Sequence, residues 1–388
     1  MLRDKLPWQE PIWPFFLSRG IILATTWFSL AIFPPSGTKN GLNCAQQLKA
    51  CLLTWNYWDQ LSYSDIAHYG YHLAQSSVFF PLWPFCLRLL GNMFGGMDEA
   101  YFFSALLLAN LLFYLALVLF FALSRKIFSA SLARKTLFCL ALYPYTVFFF
   151  AGYTESLFLL LSLATFYCLQ FRHLAAWWLA GLCAGLAALT RVTGLMLLVP
   201  FCVVFVQRYC RGKQCQQTSW GQKLLALAPL LLIPLGVACY MYYLGIVWKN
   251  PLLFVAAERT GWGRHTTFPW LGLVETVTAL LTGYQLLHNL LDLLFTLLPL
   301  LVLAIGWRRL PISYSLYALA MLLFALSNPS ISTEPLTSAP RYLLTIFPCF
   351  LLLGLWCKYP LFERLYITLA SIFLVLFTIF FVHHYWLA

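Results

Sequence analysis

The stretch ALLLANLLFYLALVLFFAL at residues 105–123 decides the fold class, because it contains no charged side chain over nineteen consecutive positions. A helix of about 20 apolar residues spans the hydrocarbon core of a bilayer, where the backbone must satisfy its hydrogen bonds within its own segment. The wider segment 99–124 therefore predicts a transmembrane α-helix.

The rest of the chain repeats this pattern. Of its 388 residues, 62% are hydrophobic and 9% are charged, whereas a soluble domain has about 25% charged residues. The sequence predicts an all-α polytopic membrane protein with a single transmembrane domain over residues 1–388. About eleven spans of roughly 17–25 residues are expected near 15–33, 99–124, 136–151, 155–171, 175–190, 192–207, 223–246, 286–305, 311–327, 341–357 and 365–382.

The distribution of basic residues sets the topology. A cytoplasmic N-terminus places most of the 24 Lys and Arg residues inside, as the positive-inside rule requires. This orientation makes Val78–Phe94 an interfacial helix on the outer surface rather than a span. It leaves two long outer segments, at 34–98 and 247–285. Because the net charge of +12 is dispersed among loops, we expect no nucleic-acid partner. The basic residues placed on the cytoplasmic side include Arg3, Lys5, Arg211 and Lys213.

The first outer segment carries the densest polar and aromatic motif, WNYWDQLSYSDIAHYGY at 55–71. A short helix over 60–69 would place Asp65 and His68 on one face, with Asp59 at its N-terminal end. A carboxylate there can act as a general base toward a sugar hydroxyl, and the aromatic rings can stack on the sugar. We therefore take Asp59 as the candidate catalytic residue.

Three other interpretations of these residues stay open. Asp59 can simply cap the helix, since Asp is a preferred N-cap residue. Asp65 and His68 can be solvated side chains at the membrane interface. Together the two carboxylates and the histidine can bind a metal ion, although their spacing matches no recognised ligand pattern.

Cys44 and Cys51 share the first outer segment. If this stretch is helical, the two residues are about 10 Å apart, which is too far for a disulfide. The sequence therefore favours two free thiols, with pairing as the less favoured alternative.

Several other outer residues can bind substrate. Tyr153 and Glu155 occupy a tight turn, where Glu155 either favours the start of the next helix or binds a sugar hydroxyl. Arginines near outer helix ends can bind phosphate through their forked guanidinium groups, although snorkelling to the interface is the ordinary alternative. These arginines are Arg191, Arg259, Arg264 and Arg341.

Asp292 lies within a predicted span. An acid at membrane depth is a proton-relay candidate in a transporter, or it pairs with a neighbouring polar helix.

A series of motifs resembles the PIG-V family of GPI mannosyltransferases and its bacterial relatives. The resemblance covers roughly residues 54–350 in register. Its motifs are Trp58-Asp59, Asp65-Ile66-Ala67 with Gly70-Tyr71, Phe79-Phe80-Pro81-Leu82-Trp83-Pro84, Tyr153-Thr154-Glu155-Ser156-Leu157-Phe158, Leu189-Thr190-Arg191 with Gly194, Trp262-Gly263-Arg264 with Phe268-Pro269-Trp270, and Pro340-Arg341-Tyr342 with Phe347-Pro348.

The resemblance implies a GT-C fold and an inverting transfer from a polyprenyl-phosphate sugar donor, with Asp59 as the base. No metal and no cofactor are expected. Gln60 departs from the Gly or charged residue that many relatives have, which leaves the acceptor open. The expected substrate-binding residues are Trp58, Asp65, His68, Tyr153, Glu155 and Trp262, and the expected donor-phosphate ligands are Arg191, Arg264 and Arg341.

The function predicted from the sequence is that of a hexosyltransferase resembling mannosyltransferases, working on a membrane lipid-linked donor and a glycolipid or glycan acceptor. Its active site is expected on the non-cytoplasmic face: the periplasmic side of a bacterial plasma membrane, or the endoplasmic reticulum lumen in a eukaryote. The alternatives are a lipid or solute transporter or flippase, and a structural scaffold. The scaffold would not need Asp59.

Overall fold

The computed structural model describes residues 7–33, 43–210 and 219–387. Arg3, Lys5, Arg211 and Lys213, which entered the topology prediction, lie outside these ranges. Within them the regular structure is helical, and the pairing of extended backbone is limited to one isolated antiparallel bridge between Arg264 and Ser330. The prediction of an all-α chain is confirmed.

The helices of the described residues follow one another through short connections. In the first half they are α1 (Ile12–Ile32), α2 (Leu48–Leu53), α3 (Asp59–Tyr69), α4 (Leu82–Met93), α5 (Asp98–Ile127), α6 (Ala130–Ala141), α7 (Glu155–Cys168), α8 (Leu174–Thr190) and α9 (Leu198–Phe205). In the second half they are α10 (Trp220–Leu227), α11 (Leu232–Trp248), α12 (Leu253–Trp262), α13 (Leu271–Leu281), α14 (Leu286–Gly306), α15 (Ile312–Leu326), α16 (Ala339–Leu343), α17 (Phe347–Trp356) and α18 (Pro360–Val382).

In the described ranges, six helical stretches are long and apolar enough to cross a membrane. They are Ile12–Ile32, Asp98–Ile127, Val192–Cys210, Lys223–Trp248, Leu286–Arg309 and Pro360–Val382. Shorter apolar helices of 10–17 residues occur as well. The polytopic character is thus supported, while the predicted number of about eleven spans is not established.

Prolines interrupt two of the predicted spans. The span expected at 136–151 ends as an α-helix at Ala141 and continues as a 3₁₀ segment, Pro144–Phe149. The span expected at 341–357 is divided into α16 and α17, with Pro348 in the first turn of α17. Proline cannot donate a backbone hydrogen bond and disfavours the α conformation in the residue before it.

The predicted interfacial helix Val78–Phe94 is shorter than expected. A 3₁₀ turn, Ala74–Val78, precedes it, and α4 itself begins at Leu82, directly after Pro81. A proline beside the first helical position is favourable, because its missing N–H would have no intrahelical partner there.

The described residues form two compact units. The first contains the described parts of 1–70, 86–156 and 353–388, and the second contains 71–85 and the described parts of 157–352. The first unit therefore includes α1, α3, α5, α6 and α18, and the second includes α8, α11, α12 and α14.

Arg19 ties three elements of the first unit together from within α1. Its side chain is only 5% exposed. The guanidinium donates to Asn110 Oδ1 of α5 at 2.8 Å and to the carbonyl of Phe149 at 3.0 Å. It also lies 4.3 Å from the ring centroid of Phe113. A charge at membrane depth is costly unless it is paired in this way, so Arg19 is a structural residue here.

The second unit is built on close contact between α8 and α11. A Cβ added at Gly185 would lie 2.5 Å from the carbonyl oxygen of Leu232, and one at Gly236 would lie 2.4 Å from the carbonyl oxygen of Gly185. Gly181, four residues before Gly185, meets the carbonyl oxygen of Pro229 in the same way. This small-xxx-small pattern lets helix backbones approach closely in lipid, where packing drives helix association.

We expect Gly185→Ala to destabilise the second unit, because its new methyl group must push α8 and α11 apart. Overpacking of this kind costs roughly 1–3 kcal/mol. The thermal unfolding midpoint of the protein purified in detergent should fall. It is measured by size-exclusion chromatography of heated samples. Gly221→Ala is the matched control, because no atom lies within 4 Å of its added Cβ. Equal midpoints for the two variants would contradict this account of the α8–α11 contact.

We expect Arg19→Met to lower the same midpoint, since it removes the donor to Asn110 Oδ1 and leaves the Phe149 carbonyl with only the weaker hydrogen bond from Ser156 Oγ at 3.3 Å. Each buried group left unsatisfied costs roughly 1–3 kcal/mol. The control is Arg125→Met, which removes an exposed arginine near the end of α5. If Arg19→Met and Arg125→Met unfold at the same temperature, Arg19 does not hold the first unit together.

Candidate active site

The helix predicted at 60–69 is present as α3, and Asp59 is its first residue. The N-cap position belongs to Trp58, so the N-cap role considered for Asp59 is wrong. Trp58 has φ +54°, a backbone conformation that bulky residues rarely adopt. Such strain costs about 1–3 kcal/mol and is kept only when the surroundings enforce it.

Aromatic rings surround the segment that leads into α3. Trp55 is fully buried, and its ring lies 4.9 Å from that of Phe381 and 4.6 Å from that of Phe150. Tyr57 stacks on His384 with a centroid separation of 3.8 Å. The predicted sugar-binding residue Trp58 meets Trp386 edge-on at 4.7 Å. All of these residues belong to the first unit.

Gln60, at the position where the resemblance implies a departure from many family members, does not face outward. Its side chain is fully buried, and its amide nitrogen donates to Ser64 Oγ at 2.9 Å. A Cβ at Gly152 would lie 2.9 Å from Gln60 Oε1, and Gly152 has φ +81°. The amide of Gln60 therefore packs against a glycine turn inside the unit.

His68, near the end of α3, and Asp98, at the start of α5, form a pair. His68 Nδ1 lies 2.6 Å from Asp98 Oδ1, and the rings of Tyr69 and Tyr101 stack on the imidazole at 4.0 Å and 5.0 Å. The negative charge of Asp98 raises the pKa of the exposed Tyr69 phenol, and Asp65 acts in the same direction. The structure thus places Asp65 and His68 in the same electrostatic neighbourhood, as the helical spacing predicts.

Tyr153 and Glu155 lie deeper than the sequence suggests. Tyr153 is 1% exposed, with its ring 6.3 Å from that of Tyr63 and 5.3 Å from that of Phe148. Glu155 begins α7, as predicted, and is fully buried. Tyr153 thus packs against α3 through Tyr63, and both residues are buried within the first unit.

The structure corrects the prediction for the two outer cysteines, because Cys44 and Cys51 form a disulfide with their Cα atoms 5.6 Å apart. The prediction assumed one continuous helix, but α2 begins only at Leu48. Asn43 turns the chain before it: its carbonyl oxygen accepts from the N–H groups of Gln46 and Gln47. The turn shortens the separation to one that a disulfide can bridge.

The predicted phosphate-binding arginines belong to the second unit, where two of them gather at one aromatic ring. The guanidinium of Arg191 lies 4.6 Å from the ring centroid of Tyr342, and that of Arg264 lies 5.2 Å from it. Arg341 precedes Tyr342 in α16 and is only 6% exposed. Two cations at one ring concentrate positive charge, and the ring partly offsets their repulsion.

Arg264 also holds the connection between α15 and α16. Its Nε lies 3.3 Å from Glu258 Oε2, and its terminal nitrogens donate to the carbonyl oxygens of Asn328 and Thr337 at 3.0 and 3.1 Å. Trp262, at the end of α12, accepts a hydrogen bond from Ser330 through its carbonyl oxygen and lies 6.1 Å from the ring of Phe79. Arg264 and Trp262 thus shape one corner of the second unit.

Two further features bear on the alternatives. In the part of the chain that the structure describes, no group of three or more His, Cys, Asp or Glu residues is arranged to hold a metal ion. Asp292 is buried in α14, one turn after Asn289, whose amide donates to the carbonyl oxygen of Thr333 at 2.8 Å.

Sequence reasoning missed several residues that shape these sites. Asp98 followed a glycine-containing turn and gave no sign of its distant histidine partner. His384 and Trp386 lie more than 300 positions from the segment that they contact. Tyr342 was visible only as part of a Pro-Arg-Tyr motif. The one local signal of the arginines gathered at Tyr342 was an aromatic residue next to an arginine in the sequence.

The fold resembles that of solved GT-C enzymes. The structure of ArnT from Cupriavidus metallidurans bound to undecaprenyl phosphate matches with a TM-score of 0.51 and 13% sequence identity, covering 95% of this chain and 76% of that one. The apo form of the same enzyme matches with a TM-score of 0.50, again at 13% identity, with the same shares covered. This similarity supports the GT-C fold expected from the resemblance.

Sequence comparison identifies the family. The chain is 30% identical over 145 residues to GPI mannosyltransferase 2 of Cryptococcus neoformans var. neoformans serotype D. The aligned region covers 36% of this chain and 34% of that protein. The matched part thus spans about a third of that relative's length. The family model of the mannosyltransferase (PIG-V) family matches residues 15–248, more than half of this chain. The chain therefore belongs to the PIG-V mannosyltransferase family.

Proposed function

We propose that this protein transfers a hexose, specifically mannose, from a polyprenyl-phosphate donor to a lipid or glycan acceptor, with inversion at the anomeric carbon. The observation that carries the proposal is the partly exposed Asp59 at the first position of α3, after a strained Trp58. The ArnT structure of similar fold contains undecaprenyl phosphate, which is the class of carrier proposed here.

Asp59 is the proposed general base. Its carboxylate takes the proton of the acceptor hydroxyl while that oxygen attacks the anomeric carbon. The bond from that carbon to the phosphate oxygen breaks, and the polyprenyl phosphate leaves with the electron pair. Asp65 and His68 follow on the same helix, where the pair with Asp98 orients the imidazole toward sugar hydroxyls. Trp58 and Trp262 are the proposed aromatic contacts.

The arginines around Tyr342 are the proposed cations for the donor phosphate. The leaving phosphate gains negative charge, and preorganised cations stabilise developing charge best where water is excluded. Arg191 and Arg341 are assigned the direct contacts. Arg264 donates to two backbone carbonyls, so its proposed role is to fix Tyr342 and the 328–337 connection, with its charge adding to the local potential. Tyr153 supports α3 through its contact with Tyr63, and Glu155 is assigned to the start of α7.

The proposed active-site face is the non-cytoplasmic one. The Cys44–Cys51 disulfide supports this orientation for the first outer segment, because disulfides persist in oxidising compartments. The basic loops expected on the cytoplasmic side agree with it. In a bacterium this face is periplasmic or extracellular, and in a eukaryote it is the endoplasmic reticulum lumen.

We expect Asp59→Asn to reduce sugar transfer by about 10²–10⁴-fold, the usual contribution of a general base, with donor affinity little changed. Purified protein would be supplied with radiolabelled polyprenyl-phosphate mannose and a membrane lipid and glycan extract. Glu99→Gln, at the outer end of α5, is the matched control and should keep wild-type activity.

Either of two results would overturn the assignment of Asp59: full transfer by Asp59→Asn, or loss of transfer on chelation that an added divalent cation restores. Failure of the wild type to turn over or bind several polyprenyl-phosphate sugars would favour the transporter alternative, to which Asp292 in α14 would then be relevant.

We expect Arg191→Gln to raise the KM for the donor by roughly ten- to hundred-fold, since a hydrogen bond to a charged group is worth about 1.5–3 kcal/mol. Tyr342→Phe should retain donor binding because it keeps the ring beneath the guanidinium groups, whereas Tyr342→Leu should weaken it. Arg259→Gln is the control for charge alone, because Arg259 is exposed on α12. Equal KM values for Arg191→Gln and Arg259→Gln would refute a specific phosphate site.

A further inference from the structure

The segment that presents Asp59 is held by residues from the opposite end of the sequence. Residues 54–58 form a turn between α2 and α3. Its aromatic residues each meet a partner from Phe381–Trp386: Trp55 stacks on Phe381 at 4.9 Å, Tyr57 on His384 at 3.8 Å, and Trp58 meets Trp386 at 4.7 Å. We call these three pairs the aromatic clamp.

His384 adds a directional contact to the clamp. Its Nε2 lies 3.2 Å from the carbonyl oxygen of Thr54. Because a carbonyl oxygen can only accept, Nε2 carries the hydrogen of this hydrogen bond. Burial lowers the pKa of His384. The imidazole plane lies within 4° of the plane of the Tyr57 ring. One side chain thus fixes the backbone before the turn and an aromatic side chain within it.

The start of the turn is also anchored covalently. Thr54 Oγ1 donates to the carbonyl oxygen of Cys51 at 2.7 Å, and Cys51 is bonded to Cys44. The chain from Cys51 to Trp58 is therefore held at its start by the disulfide and along its length by the clamp. A strained residue such as Trp58, with φ +54°, keeps its conformation only when such contacts enforce it.

We propose that His384 and Trp386 are positioning residues for the reaction: they act through Tyr57, Trp58 and the Thr54 carbonyl to hold Asp59 in its catalytic position. This inference rests on the proposed role of Asp59 as the base. The expected effect of losing a clamp residue is a misplaced carboxylate, and a displacement of about 1 Å can lower the rate by about 10²-fold. Binding of the donor phosphate, assigned to the arginines of the second unit, does not depend on the clamp, whereas the proposed sugar contact of Trp58 does.

The test distinguishes the stacking contact of the His384 ring from its hydrogen bond to the Thr54 carbonyl oxygen. His384→Ala removes both, His384→Phe keeps the stacking surface for Tyr57, and His384→Gln keeps a donor for the Thr54 carbonyl. We expect His384→Ala to lower kcat by ten- to hundred-fold with a smaller change in the donor KM, because the donor phosphate is assigned to the arginines of the second unit. His384→Phe and His384→Gln should restore part of the lost kcat. Trp386→Ala should behave like His384→Ala, and Trp386→Phe should keep most activity.

His383→Ala is the matched control. It removes the neighbouring histidine, which packs against Phe33 rather than the turn, and it should retain the wild-type kcat. An equal loss of kcat in His383→Ala and His384→Ala would overturn the proposal, and so would a loss in His384→Ala that comes only from a smaller folded fraction.

A second measurement does not depend on activity. Hydrogen exchange of the backbone amides at 55–61 should accelerate at least ten-fold in His384→Ala. The same acceleration is expected when His384→Ala is combined with Asp59→Asn. Exchange in α8 and α11 should stay unchanged. If the wild type transfers no sugar, the proposed function fails, yet faster exchange at 55–61 still supports the clamp. Unchanged exchange overturns the clamp, whatever the activity of Asp59→Asn.

Discussion

Backbone polar groups in hydrocarbon must find hydrogen-bond partners within the chain, and most of this structure follows from that constraint. Long helices meet it by themselves. The 3₁₀ segment Pro144–Phe149 does not, and side chains from other helices complete its hydrogen bonding. Arg19 donates to the carbonyl oxygen of Phe149, and Asn110 donates to that of Phe150. Two polar residues inside apolar helices thus allow an irregular turn to be buried next to α3.

This irregular turn matters for the site because it contacts the residues around Asp59. Phe150 packs against Trp55, Gly152 accommodates the amide of Gln60, and Tyr153 lies near Tyr63. The free energy that would otherwise be lost on unsatisfied carbonyls is recovered by Arg19 and Asn110. The turn can then serve as a rigid support for α3, the helix that carries the proposed base Asp59.

Charge is distributed differently in the two units. The first unit presents carboxylates and an imidazole along α3 and the start of α5, whereas the second gathers arginines at Tyr342. A glycosyl transfer with a phosphate leaving group needs both kinds of group: a base for the attacking hydroxyl and cations for the departing oxygen. The proposed base and the proposed phosphate-binding arginines thus belong to different units.

The sequence alone determined the fold class, the helical character of α3 and the candidate residues, because hydrophobic runs and helical spacing are local properties. Motif order also identified the family, which the family model over residues 15–248 confirmed. The sequence did not predict that the helices are interrupted near Pro144 and Pro348. The length of an apolar run is the same whether the helix is continuous or interrupted.

Only the tertiary structure decided which residues meet. The pairing of His68 with Asp98, the clamp formed by His384 and Trp386, and the gathering of Arg191 and Arg264 at Tyr342 join positions far apart in the chain. The Cys44–Cys51 disulfide depended on a turn at Asn43 that a helical spacing rule could not anticipate. Such contacts depend on how helices pack against one another, and a local sequence pattern carries no information about its distant partner.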